Sequence, residues 1–151
     1  MASEGDSRRF EVREADWSVE GDLLSAIRRE VFVVEQQVPP DEEWDGRDHE
    51  SWHFVALDGS DGPIGTARLL PDGQIGRMAV LEAYRRAGVG GRLLEEAVVK
   101  ARAIGLTRVY LHAQIHALPF YERAGFVVEG EEFEEAGISH RRMSMALLPA
   151  E

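Results

Sequence analysis

The chain of 151 residues has no cysteine. That excludes disulfides, thiolate metal sites and a cysteine nucleophile. It has almost no lysine: Lys100 stands alone among 17 basic residues, and the others are arginine. It has no apolar run near the ~20 residues that cross a bilayer. The polar, mixed-charge start, Met1 to Arg9, lacks the apolar core of an export signal, so the expectation is a cytoplasmic protein with no membrane partner. Positive charge is also short, with 28 acidic residues and a net charge of −11. A phosphate backbone would be repelled, and nucleic acid is not expected as a partner. An acidic, lysine-poor surface fits either adaptation to high salt or an arginine-favouring codon bias.

What is present reads as a folded globule. Apolar residues make up 44% of the chain, which suits one hydrophobic core. No repeat, linker or low-complexity block divides it. The expectation is a single domain over 1–151, with 1–9 as a flexible tail. Phe10 to Arg13 alternates like a strand. Asp16 and Ser18 are candidate N-caps for a helix carrying Leu23, Leu24, Ile27, Val31 and Val34 at helical spacing. Pro39-Pro40 stops it, and 41–50 reads as an acidic loop around Trp44. Three strands follow, near 52–57, 64–70 and 74–80, separated by turn-forming Asp, Gly and Pro.

A second helix has a clear apolar stripe of Val89, Leu93, Leu94, Ala97, Val98, Ala101 and Ile104, with Glu96 and Lys100 in favourable i,i+4 order. Gly105 ends it. A strand at 109–112, a helix at 115–124, and strands at 126–128 and 143–148 complete the order. That order, strand, helix, three strands, helix, strand, helix, two strands, is a mixed α/β sheet, parallel where helices connect strands.

The segment Arg85-Arg86-Ala87-Gly88-Val89-Gly90-Gly91 follows a strand and opens a helix. Glycines there let the backbone turn and approach a ligand, and the helix start offers free N–H groups to an anion such as pyrophosphate. The plainer reading is a glycine-softened loop with solvated arginines. Leu93 stands where the dinucleotide pattern needs a third glycine, and the Gly-Lys-Ser/Thr of nucleotide triphosphate loops is absent.

Arg85-x-x-Gly88-x-Gly90 after Met78-Ala79-Val80 resembles the acetyl-CoA pyrophosphate motif of the GCN5-related N-acetyltransferases (GNAT). Ala117 to Phe126, with Tyr121 and Gly125-Phe126, resembles that family's later helix and turn. Val31 to Gln36 with Pro39, Asp45 and Gly46, and Gly137 to His140, are similar to the bacterial ElaA-like and YjcF-like branch. The resemblance implies a GNAT-like sheet with helices on both faces and acetyl-CoA as cosubstrate, with no metal.

It also implies site residues. Met78, Ala79 and Val80 would pair with the pantetheine arm. Amides of Arg86, Ala87, Gly88, Val89, Gly90 and Gly91 would hold the pyrophosphate, with Arg85 at the loop entrance. Tyr121 would protonate the departing thiolate, or it packs in the core with Phe120 and Phe126. A backbone N–H near Val80 would stabilise the oxyanion. Gln114 stands where many relatives carry Asn. Glu35, Asp45, Glu134 and His140 are the candidate bases, beside a water chain, and Glu35, Gln36, Asp45, Glu134 and His140 would border the acceptor. His140 has an intrinsic pKa suited to neutral pH.

The spacings His112/His116 and His49/His53 are read as core or surface histidines rather than zinc ligands, because they sit at strand ends. The acidic runs 41–50 and 129–135 are solvated faces or a rim that steers a cationic amine. The implied activity is transfer of acetyl to a small amine, with a catalytically inactive acyl-CoA-binding module as the alternative. Dimers are common in the family, so the choice between monomer and homodimer stays open.

Overall fold

The computed structural model describes residues 10–59 and 62–148, so the tail expected at 1–9 lies outside the described residues. Strand β1 (Phe10–Ala15) leads into helix α1 (Trp17–Arg28). Of the two candidate caps, Asp16 is the N-cap, its carboxylate accepting the Ser18 amide at 3.0 Å. The unmet donors of a helix start explain the preference for such a residue.

Leu24, Ile27, Arg28 and Val31 are buried along one side. From Arg29 to Glu35 the winding changes to π, and the Gln36 amide reaches back five residues to Val31 O at 3.0 Å. The wider turn re-phases the apolar pattern, and Val34, expected on the buried side, is 59% exposed. The segment 41–50, expected as loop, holds a short helix α2 (Pro40–Glu43) and a 3₁₀ turn (Asp48–Glu50). Pro40 at the first helical position is suited to start it.

Strands β2 (Trp52–Asp58), β3 (Gly62–Leu69) and β4 (Ile75–Val80) form the antiparallel meander, with β1 on the far side of β2. Helix α3 (Val89–Ala103) crosses to β5 (Arg108–Gln114). A 3₁₀ turn and the short helix α4 (Leu118–Arg123) lead to β6 (Val127–Glu135) and β7 (Ile138–Ala146). The acidic stretch 129–135, expected as a connection, is therefore strand. Glutamate is a poor strand former, but cross-strand bonding to β7 overrides propensity, and Glu129 faces Arg142 across the ladder. Ala136 and Gly137, both at positive φ, make the two-residue hairpin turn.

Helices cover both faces of the first sheet, as expected. Phe54, Ala56 and Leu69 share a core with Val89, Leu93, Ala97 and Ala101 of α3. On the opposite face Val55 packs with Leu24, and Ala79 with Ile27 and Val31. Cover on both sides explains the unbroken burial along β2 from His53 to Ala56 and along β3 from Ile64 to Leu69. The Glu96–Lys100 pair expected on α3 does not form: Lys100 reaches Glu14 of β1 at 3.1 Å, and Glu96 lies 3.5 Å from Arg92.

Hydrogen bonding divides the strands into β1-β2-β3-β4 and β5-β7-β6. The expectation of parallel strands where helices connect them holds for β4 and β5 and, in direction, for β5 and β6, which β7 separates, but it fails for β1 and β2, which pair antiparallel although α1 lies between them. The two sheets meet at a single parallel bridge, Gln74 to Tyr110, with the Tyr110 amide donating to Gly73 O at 3.0 Å. Past it, β4 and β5 part. A bulge in β4, where Arg77 takes φ 50° opposite a register shift in β3, bends the strand away.

Gly73 sits at this junction with φ 99°, and a Cβ there would lie 2.8 Å from Arg108 O. Gly73→Ala is expected to lose about 1–3 kcal/mol in urea unfolding. Stability within error of the parent would show that the junction yields freely.

Candidate active site

The parting of β4 from β5 opens a cleft of about 560 Å³. One wall is β4, where Met78 and Arg77 line it; the other is β5 and β7, with His112, Gln114 and His140; Gln36 and α2 close one side. Gln114 on β5 donates to Gln36 Oε1 at 3.0 Å, tying the end of β5 to the π-wound segment. The longer side chain of glutamine permits this span.

Tyr121 projects from α4 into the cleft, its hydroxyl 3.8 Å from Met78 Sδ. Burial pushes its pKa up to about 12, so the phenol is neutral and can only donate a proton near pH 7. Phe120 packs edge-to-face on Tyr121, with ring centroids 4.9 Å apart. A Cβ on Gly90 would come within 3.6 Å of the Phe120 ring and 4.0 Å of Val80, so the loop, the end of β4 and α4 meet there.

Gly88, at φ 88°, is the N-cap of α3 and supplies no side-chain cap. The first helical bond runs from the Arg92 amide to Gly88 O at 3.1 Å. The amides of Val89, Gly90 and Gly91 precede it and are left without intrahelical acceptors. A Cβ at Gly88 or Gly91 would meet nothing within 4 Å, so the cradle has room for a pyrophosphate, whose charge the helix start favours. Arg86 adds a guanidinium that pairs with no carboxylate among the described residues. Ala87 is partly buried against the main core and holds the loop down. Arg85 is committed elsewhere. Its Nε donates to Val80 O at 2.8 Å and its two terminal nitrogens to Glu35, each at 2.7 Å.

That ion pair removes Glu35 from the acceptor side. Glu35 lies in a groove along the outer face of α1 with Leu23, Val34 and Leu81, and its hydrogen bonds from Arg85 hold its carboxyl below the usual range. Asp45 does line the cleft, but Arg68 grips both its oxygens at 3.0 Å and Arg77 donates at 3.3 Å. Burial alone would raise its pKa; the hydrogen bonds of Arg68 and the Arg47 amide, with the charges of Arg68 and Arg77, hold it far below the ordinary range instead. Neither carboxylate is placed as a base. Glu134, exposed on the other side of β6, is also not brought to the cleft. Its neighbour Glu135 lines it, because strand residues alternate sides. Reading 129–135 as a loop hid that alternation.

His140 is 8% exposed, and its Nδ1 donates to Ile138 O at 2.7 Å. The lone pair of the neutral ring therefore sits on Nε2. His112 and His116 both line the cleft, and His112 Nδ1 is engaged by Glu135. His53 is buried elsewhere, stacked on Trp17 with its Nε2 on Asp48 O at 2.9 Å.

Behind the cleft lies an ion network that sequence reasoning missed, since 41–50 read as solvated. Arg28, fully buried, donates to Glu43 at 2.7 Å and to Asp48 at 2.8 Å. Arg68 joins Asp48 at 3.1 Å, and Arg77 donates to Glu43 O at 3.0 Å. Arg28 sits 5.6 Å from the rings of both Trp17 and Trp44. The signal available was the arginine at the buried phase of α1.

A parallel strand pair that splays, an uncapped glycine-rich helix start at one end and a half-buried neutral phenol beside the gap define an acyl-CoA-dependent acyltransferase cleft. A family model described as an acetyltransferase (GNAT) domain matches residues 15–147. The uncharacterised N-acetyltransferase YjcF of Bacillus subtilis is 41% identical over 121 residues, covering 78% of this chain and 86% of YjcF. Crystal structures of an acyl-CoA N-acyltransferase from Pseudomonas aeruginosa (34% identity, TM-score 0.79, 90% of this chain and 99% of that one) and of Escherichia coli ElaA (31%, 0.80, 89% and 99%) superpose on the fold. The chain belongs to the GNAT family of acetyltransferases. It is an acyltransferase, and members of this family use acetyl-CoA. No described helix is long and apolar enough to cross a membrane.

Arg28→Met would leave Glu43 and Asp48 buried without their main partner. The expected loss is about 3–5 kcal/mol in chemical denaturation at pH 7. Asp48, like Asp45, is held below its ordinary range: burial works against this, and the hydrogen bonds and charges of Arg28 and Arg68 outweigh it. The stabilising share of both aspartates is complete above the unfolded carboxylate range and is lost as pH falls below it. The variant should accordingly lose less at acid pH than at neutral pH; an equal loss at both would assign the effect to packing.

Proposed function

We propose that the protein is an acetyl-CoA-dependent N-acetyltransferase that acts on a small amine, which attacks the thioester directly. Acetyl-CoA supplies the acetyl group and a thiolate leaving group. The amides of Val89, Gly90 and Gly91, with Ala87, Gly88 and Arg86 around them, bind its pyrophosphate. Met78, Ala79 and Val80 offer the free edge of β4 to the pantetheine arm. Arg85 positions the end of that strand through Val80 O and Glu35.

Tyr121 carries the reading. Its hydroxyl is neutral, half-buried and beside Met78 in the gap, which suits a general acid for the sulfur. His140 takes a proton from the nitrogen through Nε2. Gln36 and Gln114 border the acceptor, and Asp45 shapes the wall through Arg77 rather than as a base. The cleft is closed on one side by α2 and the Gln36–Gln114 link, which favours a small acceptor over a long peptide.

Acetyl-CoA should raise the melting temperature of the protein. A native-state ligand at a hundredfold excess over its Kd adds about 2.7 kcal/mol. Gly88→Glu, which puts negative charge into the cradle, should abolish the shift, and an unshifted melting curve for the parent at millimolar acetyl-CoA would refute the cofactor assignment. Tyr121→Phe keeps the ring, so acetyl-CoA binding should persist while amine-dependent release of free thiol falls about 10²- to 10⁴-fold. Parent-like turnover in this variant would remove Tyr121 from the chemistry.

A further inference from the structure

Acetylation of an amine that arrives as an ammonium ion moves two protons off its nitrogen. One proton must leave before attack, to free the lone pair. The second leaves after the C–N bond forms and the C–S bond breaks. Tyr121 delivers one proton to the sulfur and is reprotonated by the second proton off the nitrogen, so the net product is one proton to water. A single imidazole would have to discharge between the two transfers. The cleft holds a second one that the reading above leaves idle.

His112 lies on β5 and Glu135 at the end of β6, 23 residues apart in sequence. His112 Nδ1 donates to Glu135 Oε1 at 3.0 Å. The Phe133 ring meets the imidazole edge-on at 5.1 Å and stacks on His140 at 5.9 Å. The carboxylate and the phenyl ring thus fix the imidazole in one orientation with one tautomer, and Nε2 carries the lone pair. The hydrogen bond from His112, working against burial, keeps the Glu135 carboxyl below its ordinary range, with lesser help from the charges of His112, His140 and Arg77. The other charged groups around the ring are accounted for. Arg142, its cross-strand partner on β7, turns its guanidinium over the Tyr110 ring at 4.0 Å. Arg77 is held by Glu43 and Asp45. His116 and His140 line the same cleft.

We propose that His112, positioned by Glu135, is a catalytic base that takes the first proton from the ammonium form of the acceptor, before His140 takes the second. This rests on the N-acetyltransferase reading. Nε2 of His112 accepts the proton, the freed amine attacks the thioester carbonyl, and the imidazolium passes its proton to water through the open mouth of the cleft. The substrate class that needs this step is an alkylamine, protonated at neutral pH. A weakly basic nucleophile such as hydroxylamine is already neutral there and does not.

The experiment compares these two acceptors in purified parent, His112→Gln and Glu135→Ala proteins, reading thiol release from acetyl-CoA with the uncatalysed rate subtracted, alongside the acetyl-CoA melting shift. For the alkylamine, kcat/KM of His112→Gln should fall about 10²- to 10⁴-fold, and the deficit should shrink as pH rises and free amine accumulates. For hydroxylamine it should stay within about threefold of the parent, and the melting shift should be unchanged. Glu135→Ala should show a smaller loss of the same selectivity, and Glu135→Gln, which still accepts from Nδ1, should restore most of it. Equal losses for both acceptors, or none for either, would overturn the assignment. A parent protein that binds acetyl-CoA but acetylates neither acceptor would overturn the N-acetyltransferase reading, and this inference with it.

Discussion

Among the described residues, β4 and β5 are joined only where Gly73 and Gln74, just before β4, meet Tyr110. Beyond that bridge each presents peptide groups to the gap that no strand satisfies, and buried backbone polar groups demand partners. The gap can persist because the bulge at Arg77 bends β4 outward and the Gln36–Gln114 bond spans its far side. On the proposed reading, a ligand with amides along its length, as the pantetheine arm has, would complete what the sheet leaves open. The helix start at Gly88 and the phenol of Tyr121 matter because both are held against this gap, through Val80, Gly90 and Phe120.

The same geometry sets the electrostatics. An acidic chain might be expected to line its cleft with free carboxylate. Instead arginines from three elements, Arg28 on α1, Arg68 on β3 and Arg77 on β4, converge on Glu43, Asp45 and Asp48. Arginine suits this role because its planar fork serves several acceptors at once. Lysine, nearly absent here, would make fewer and less directional contacts. The result is a rigid charged wall behind the cleft, with the unengaged imidazole nitrogens of His112 and His140 opposite.

Much of the architecture was legible in order. The apolar stripe of α3 and the turn residues between β2, β3 and β4 are local signals, and they placed those elements well. Two local signals misled. The acidic runs looked solvated, because charge patterning cannot show that a buried Arg28 waits 15 residues upstream of Glu43. The stretch 129–135 looked like a loop, because its strand character comes from pairing with β7 and not from its own residues.

By itself, the sequence determined the glycine-rich loop, the family and the position of Tyr121. Each depends on neighbouring residues: glycines at fixed offsets, a helix that begins just after them, and a tyrosine set by its own short helix. Tertiary structure alone decided which side chains share the cleft. It drew Glu35 out of the cleft by pairing it with Arg85, left Asp45 in the wall but engaged by Arg68, exchanged Glu134 for Glu135 through the pleat of β6, and joined Glu135 to His112. Those pairings link residues 23 to 50 positions apart on different elements, and the distances along the chain carry no record of which of them the fold brings into contact.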